Sequence, residues 1–119
     1  MSLDIYAGIR DEHGVFGPVM NMTHSEMGEW GENGLWKTNQ EYVPGVSMNI
    51  SEYNWHDMCV SILLIDPDKI QTYSLAKLRI SCLDALELPI DPYHVQRLIE
   101  LANICSLGIT RRAERLCVA

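Results

Sequence analysis

The side chains best suited to chemistry in this chain are a histidine and a cysteine that stand three residues apart. His56 and Cys59 occupy positions i and i+3 of a segment whose apolar pattern predicts a helix, so both would lie on one helix face. A histidine beside a cysteine suits nucleophilic catalysis, or it supplies two of the four ligands that zinc prefers. A small enzyme that uses His24 or His56 with Cys59 is therefore one alternative function.

Other features of the sequence oppose that chemistry. Cys59 stands in an apolar stripe, whereas a reactive thiolate needs an exposed and electropositive setting. The histidines and cysteines show none of the paired spacings that are typical of zinc sites, and no phosphate-binding glycine loop or nucleophile elbow occurs. We expect no catalytic residue, no metal and no cofactor.

The cysteines are better explained as packing residues. Each of the four falls in an apolar pattern: Cys59, Cys82, Cys105 and Cys117. Cysteine is among the most deeply buried residue types in folded proteins. The opening residues lack the basic and apolar regions of an export signal, so we expect a cytoplasmic protein whose thiols are free.

The charge of the chain limits the partners that it can bind. It has 9 Lys+Arg against 16 Asp+Glu, which gives a formal net charge of −7. This acidity argues against nonspecific nucleic-acid binding, and no apolar run is long enough to span a membrane. Residues 107–116 resemble the turn and second helix of a helix-turn-helix motif, in which Arg111, Arg112 and Arg115 would face phosphates or bases. A DNA-binding regulator that uses this basic tail is the second alternative, although Glu114 stands where the motif has an apolar residue.

The first half of the chain combines acidic residues with large aromatic and sulfur-containing side chains. Tryptophan anchors protein interfaces, and an acidic surrounding attracts basic partners. The candidate partner-binding residues form what we call the acidic–aromatic patch: Glu26, Met27, Glu29, Trp30, Glu32, Trp36 and Glu41. We expect a small, acidic, non-enzymatic protein that inhibits or modulates a protein partner of basic character. The tryptophans could instead belong to the core, and the same patch could form a homodimer interface.

Three short motifs in the first third of the chain resemble a family of small proteins from phages and bacterial mobile elements. They are Ser2-Leu-Asp-Ile-Tyr6, Asn21-Met-Thr-His24 and Gly34-Leu-Trp36. The resemblance implies a structural role for Thr23 and His24, with His24 held by a hydrogen bond under the N-terminal hairpin. It also implies a phage or mobile-element setting, which suits an anti-defence inhibitor or a toxin-immunity protein.

Strand signals are concentrated near the start of the chain. Leu3, Ile5, Ala7 and Ile9 alternate with other residues, which predicts a half-buried strand. A second strand is predicted over residues 15–22, with Gly17-Pro18 at an edge or a bulge. Residues 23–47 are predicted as a loop that holds one irregular helical turn, capped by Ser25 and carrying Glu26, Glu29 and Glu32, and a short extended piece at 41–46.

Helical signals dominate the second half, where helices are predicted over about 49–64, 67–87 and 92–107. Asn49 and Glu52 have the spacing of a capping box. Residues 65–71 and 90–96 share the pattern Ile-Asp-Pro-x-x-(Ile/Val)-Gln, in which Asp caps a helix and Pro fills its first position. Gly108 is predicted to end the third helix. Residues 110–118 are predicted as a last helical turn with Ala113, Leu116 and Cys117 facing inward.

These elements predict one α+β domain over residues 1–119. An N-terminal β-hairpin and loop region, residues 1–47, would pack against three C-terminal helices in residues 48–119. Such a small sheet needs helices to cover one of its faces.

Overall fold

The computed structural model describes residues 1–10, 13–18, 29–30, 36–37, 42–43 and 47–119. It contains small antiparallel sheets and three α-helices, which is the predicted α+β class. The strands are β1 (Ser2–Arg10), β2 (Phe16–Pro18), β3 (Glu29–Trp30), β4 (Trp36–Lys37), β5 (Tyr42–Val43), β6 (Ser47–Ser51) and β7 (Arg115–Val118). The helices are α1 (Glu52–Asp57), α2 (Leu75–Ala85) and α3 (Pro92–Thr110).

Strand β1 is the centre of the main sheet because it pairs with three other strands. Its first half pairs with β6, with Leu3 opposite Ile50, and its second half pairs with β2, with Gly8 opposite Pro18. Strand β7 pairs with the other edge of β1 and places Leu116 opposite Ala7. Among the described strands β2 pairs only with β1, so the predicted edge position of the proline is confirmed.

The core lies between one face of this sheet and the helices. Ile5 of β1 and Met48 of β6 stand opposite each other, and both are fully buried. Helix α3 supplies Leu98, Leu101 and Ile104 to the same core, and α2 supplies Leu78. The period-2 pattern of β1 therefore turns Ile5 and Ala7 into the core, as the sequence predicts, whereas Ile9 near the end of the strand is exposed.

The first helix starts later than predicted, and its cap is a different residue. Asn49 lies in β6, where its side-chain amide donates a hydrogen bond to Asp4 (2.8 Å). The cap is Ser51, whose hydroxyl accepts from the N–H of Asn54 (3.2 Å). The capping-box prediction is wrong because pairing with β1 keeps the backbone extended through Ser51.

Helix α1 continues into a π-helical turn, Met58–Leu63, which ends at Leu64 in the left-handed conformation (φ 56°). The wider turn keeps Met58 and Cys59 fully buried and leaves Val60 exposed. Helical structure therefore runs to residue 63, close to the predicted end at 64. π-Turns are uncommon and are often found at functional sites.

The second helix is shorter than predicted, since residues 67–74 contain only the 3₁₀ turn Ile70–Thr72. Helix α2 begins at Leu75, and its cap is Ser74, whose hydroxyl accepts from the N–H of Lys77 (3.1 Å). The carboxylate of Asp66 instead accepts from the N–H of Asp68 (2.9 Å) in a local turn. The first Ile-Asp-Pro segment thus starts no α-helix.

The third helix begins as predicted, with Asp91 as its cap and Pro92 as its first residue, but it does not end at Gly108. A Cβ atom on Gly108 would lie 2.6 Å from Leu75 Cδ1 and 2.7 Å from Ala7 Cβ. This glycine therefore permits close packing between α3, α2 and β1 rather than a helix stop. No helix in the described ranges has both the length and the apolar character needed to cross a membrane.

The C-terminal residues form a strand rather than the predicted helical turn. Arg112 adopts a positive φ of 59° after α3, and the N–H of Glu114 then bonds to the carbonyl oxygen of Gly8 (2.9 Å). Leu116 and Cys117 are buried, as predicted, but through strand pairing with β1. Pairing with the edge of β1 gives the tail a ladder of backbone hydrogen bonds. These bonds stabilise the strand more than the weak helical preference of a short tail would stabilise a helical turn.

The three shortest strands form a second antiparallel sheet in the order β3-β4-β5. Trp30 pairs with Trp36, and Lys37 pairs with Tyr42. The prediction of a helical turn is wrong at Glu29, which lies in the extended strand β3. Strand β5 agrees with the extended piece expected at 41–46, and Ser25, Glu26 and Glu32 lie outside the described residues.

Candidate functional site

An open groove of about 730 Å³ runs beside α1, and we call it the α1 groove. Its apolar lining includes the buried indole of Trp55 and the half-buried Leu3 and Val118. The other lining residues are mainly polar and belong to α1, the π-turn and the segment before α2: Glu52, Tyr53, His56, Asp57, Val60, Ser61, Pro67, Asp68 and Gln71. The groove thus joins an apolar base to a polar rim.

Helix α1 sets the position of most of these side chains. The cap at Ser51 fixes the start of the helix, and i, i+4 spacing then places Glu52 above His56 and Tyr53 above Asp57 along the groove. Trp55, one of the residues between them, is buried with only 3% of its surface exposed. The alternation of buried and exposed positions gives the short helix one face for the core and one for the groove.

A second hollow of about 450 Å³ adjoins the α1 groove and shares His56, Val60 and Pro67 with it. Leu64 and Asp66 also line this hollow. Leu64 is 81% exposed because the left-handed residue at the end of the π-turn points its side chain outward. The two hollows therefore extend the groove beyond the length of α1.

Behind the groove, one carboxylate links α1 to the start of α3. Asp57 Oδ1 accepts a hydrogen bond from the hydroxyl of Ser61 (3.1 Å), and its Oδ2 lies 3.3 Å from His94 Nε2. This second contact is a close polar approach without hydrogen-bond alignment, since His94 Nε2 has no hydrogen-bond partner among the described residues. Asp57 thus belongs both to the groove and to the contact between the helices.

The imidazole of His94 is held on its other side by the cap of its own helix. His94 Nδ1 lies 2.6 Å from Asp91 Oδ2, and the backbone N–H of His94 donates to Asp91 Oδ1 (3.1 Å). These hydrogen bonds lower the pKa of the Asp91 carboxyl below its usual value. The side chain of His94 is only 12% exposed, and the ring of Tyr93 meets it edge-on at 5.3 Å.

A polar network continues along the contact between α1, α3 and β6. Asn54 donates to the hydroxyl of Tyr93 (3.1 Å), and Arg97 lies over the ring of that tyrosine. Arg97 also pairs with Glu100 (2.8 Å), which is buried and accepts from Gln96 as well (3.2 Å). A buried carboxylate needs such partners, so we interpret this network as a structural connection between the helices.

The cysteines lie away from the groove, and burial suppresses their reactivity. All four are free and buried, as the sequence predicts. Burial raises the pKa of the thiols of Cys59 and Cys105 to about 12 and also raises the pKa of Cys82. Cys59 is inaccessible whereas His56 is exposed, so the geometry does not support a reactive pair of these residues.

The structure also bears on a metal site and on DNA binding by the basic tail. Within the described part of the chain, no three His, Cys, Asp or Glu side chains come together to hold a metal ion. The basic tail does not form the second helix of a helix-turn-helix motif, because Arg111 follows the end of α3 and Arg115 begins β7. That form of the DNA-binding prediction is therefore wrong.

The predicted acidic–aromatic patch is only partly placed by the structure. The backbones of Glu29, Trp30 and Trp36 lie in β3 and β4, with the two tryptophans opposite each other. The remaining members lie outside the described residues: Glu26, Met27, Glu32 and Glu41. Thr23 and His24 also lie outside them, so their predicted structural role stays a prediction.

Sequence reasoning missed the α1 groove, although two signals for it are visible in the sequence. Tyr53 and Asp57 have the i, i+4 spacing of neighbours on one helix face, and His94 stands three residues after the Asp91 cap, within reach of its carboxylate. The approach of Leu3, Val118 and Asp68 to that face has no local signal, because it depends on how the elements pack.

Comparison with known proteins adds no relative to this picture. No protein-family model, no curated protein and no solved structure matches the chain.

Proposed function

We propose that this protein is a non-enzymatic binding protein that inhibits or modulates a protein partner. The observation that carries the proposal is the α1 groove, in which exposed polar side chains surround an apolar base. Tyr53 is 79% exposed at its rim, although a tyrosine ring gains from burial against a partner. An apolar centre with a polar rim is the usual composition of a protein interface.

The chemistry available at this surface favours binding over catalysis. All four thiols are buried, and burial raises the pKa of Cys59, Cys82 and Cys105. The partners of the His94 ring nitrogens are carboxylates rather than a nucleophile. What the groove offers is shape, apolar area and negative charge.

The proposed mechanism is occlusion of the partner's own binding surface. Carboxylates on this protein would take the place of an anionic substrate or nucleic acid, while aromatic and aliphatic side chains anchor the contact. The acidic–aromatic patch of the first half is proposed as a further partner-binding surface. The resemblance of the opening motifs supports a cytoplasmic role in the style of phage anti-defence or toxin-immunity proteins.

The proposal is tested by capture from a lysate of the cells that carry the gene, followed by mass spectrometry. The immobilised protein is compared with an unrelated acidic protein of similar size, because any acidic surface retains some basic proteins. We expect a specific partner to be retained at both low and high salt, and its activity to change when this protein is added. Recovery of nothing above the acidic control at either salt would contradict the proposal.

A further inference from the structure

We propose that the α1 groove binds a segment of the partner that carries an arginine or lysine next to an aliphatic side chain. This inference rests on the proposed function and names the chemistry of the segment that the groove takes. Three features of the groove lead to it, namely its base, its rim and its open shape.

The base of the groove suits an aliphatic side chain. Trp55 closes it from below, and Leu3 and Val118 from β1 and β7 form the adjoining apolar wall. All three residues belong to or border the core, so their positions are fixed before any partner arrives. An aliphatic group seated there would release water from apolar surface without requiring the protein to rearrange.

The rim of the groove suits a cation. Its carboxylates come from two elements, Glu52 and Asp57 from α1 and Asp68 from the segment before α2. The only basic side chain that lines the described groove is His56. A guanidinium or ammonium group would therefore meet complementary charge, and Tyr53 presents an exposed ring over which it can lie.

The shape of the groove suits a chain segment rather than a small molecule. The groove is open along its length and continues into the second hollow past His56, where the exposed Leu64 and Asp66 repeat the combination of apolar and acidic groups. A segment with alternating basic and aliphatic residues would place one kind of side chain inward and the other at the rim, as extended chains do.

The test measures binding of synthetic octapeptides to the purified full chain by fluorescence anisotropy. The probes alternate arginine with leucine, arginine with serine, or glutamate with leucine. We expect saturable binding of the arginine–leucine peptide, clearly weaker binding of the arginine–serine peptide, and none of the glutamate–leucine peptide. The affinity for arginine–leucine should fall with rising salt because the rim charges are exposed.

Variants locate the binding site. Tyr53→Ala and Asp68→Asn should each weaken binding of the arginine–leucine peptide by about two- to fivefold, which is the size of one exposed cation–π or ion-pair contact. Asp84→Asn removes the same charge from the exposed side of α2, outside the groove, and should leave the affinity unchanged. Asp57 is not chosen because its loss would also remove the contact with His94.

Several results would overturn the inference. Equal binding of the arginine and glutamate peptides would exclude charge complementarity, and equal weakening by Asp68→Asn and Asp84→Asn would mean nonspecific attraction to net charge. Failure of the arginine–leucine peptide to bind would also reject it. If Tyr53→Ala and Asp68→Asn leave the affinity for the arginine–leucine peptide unchanged while the wild type captures a specific partner from lysate, the proposed function stands and this site fails. Peptide binding without any captured partner would leave the site standing and the proposed function contradicted.

Discussion

Residues 65–71 and 90–96 share one sequence pattern, yet they build different structures. In the second segment Asp91 caps α3, which runs for 19 residues from Pro92. In the first, the carboxylate of Asp66 accepts from the N–H of Asp68 in a local turn, and the chain makes a 3₁₀ turn before Ser74 starts the next helix. Both contain the cap and the proline that favour a helix, so these residues alone do not decide the outcome.

Burial distinguishes the two segments. Ile65 and Ile70 of the first are buried, whereas Ile90 and Val95 at the matching positions of the second are only half-buried. The first segment turns its apolar side chains into the core, and the backbone becomes extended at Tyr73 and Ser74.

The second segment continues into a helix with a long apolar face, which gains from packing over several turns. A capping signal therefore starts a helix only where the following turns have somewhere to pack.

The two segments also contribute differently to the candidate site. The first lines the α1 groove directly through Pro67, Asp68 and Gln71. The second lies behind it and holds Asp57 through His94. One copy of the pattern supplies rim residues, and the other supports a carboxylate of that rim.

The largest expected difference between the segments is in core packing. Ile70→Ala should lower the free energy of unfolding by about 2–5 kcal/mol, because Ile70 is fully buried and the substitution leaves a cavity. Val95→Ala, at the matching position, should cost clearly less because Val95 is partly exposed and its truncation removes one carbon fewer. Urea denaturation followed by circular dichroism measures both. Equal costs would contradict the view that burial separates the segments.

A smaller difference in stability is expected between substitutions at Ser74, which caps α2, and at Asp66, which caps no α-helix. Ser74→Ala should destabilise the fold by about 1 kcal/mol, because it removes the acceptor for the N–H of Lys77 at the start of α2. Asp66→Ala should cost less, since Asp66 holds one exposed turn and caps no α-helix. Thermal unfolding of the two variants gives the comparison. A larger loss for Asp66→Ala would mean that α2 depends on the first segment after all.

The smallest expected effect is the pH dependence that Asp91 adds to the second segment. Its pKa is lowered in the folded state from the ordinary value of 3.8, mainly by the hydrogen bond from His94. A lowered pKa contributes stability above the unfolded value, and this stability is lost as the pH falls through the folded one. The melting temperatures of the wild type and Asp91→Asn should therefore differ most above about pH 4 and converge below it. Asparagine can still cap the helix, so the variant isolates the charge.

Asp66→Asn is the matched control for that titration, because it removes the same charge from the first segment. Its melting curve should follow that of the wild type more closely across the range. If the two variants give parallel curves, the contact between Asp91 and His94 adds nothing beyond one negative charge.

Much of the fold follows from local patterns. The alternation in β1 predicts the burial of Ile5 and Ala7, and the apolar pattern of α3 predicts that of Leu98, although Ile9 and Ile99 of the same patterns are exposed. Pro92 after Asp91 predicts where α3 begins. The four cysteines were also predicted as packing residues for this reason. Local patterns failed where a longer-range contact competed with them, as at Asn49, which pairs with Asp4 in the sheet instead of capping α1.

The candidate site was much less predictable. The i, i+4 spacing of Tyr53 and Asp57 shows that they share a helix face, but the sequence does not show that Leu3, Val118 and Asp68 come to meet it. Those residues are up to 115 positions apart in the chain. No periodicity links residues at such separations, since hydrophobic patterns report only on which face of its own element a residue lies.

The sequence alone therefore determined the class of the fold, the net negative charge and the burial of the thiols, because composition and short-range periodicity are properties of the chain itself. Tertiary structure decided that the tail would complete the sheet, that Gly108 would lie inside α3 as a contact point and that a groove would form beside α1. Each of these depends on which elements come into contact. The stabilisation from backbone pairing and close packing is larger than the local conformational preferences that it overrides.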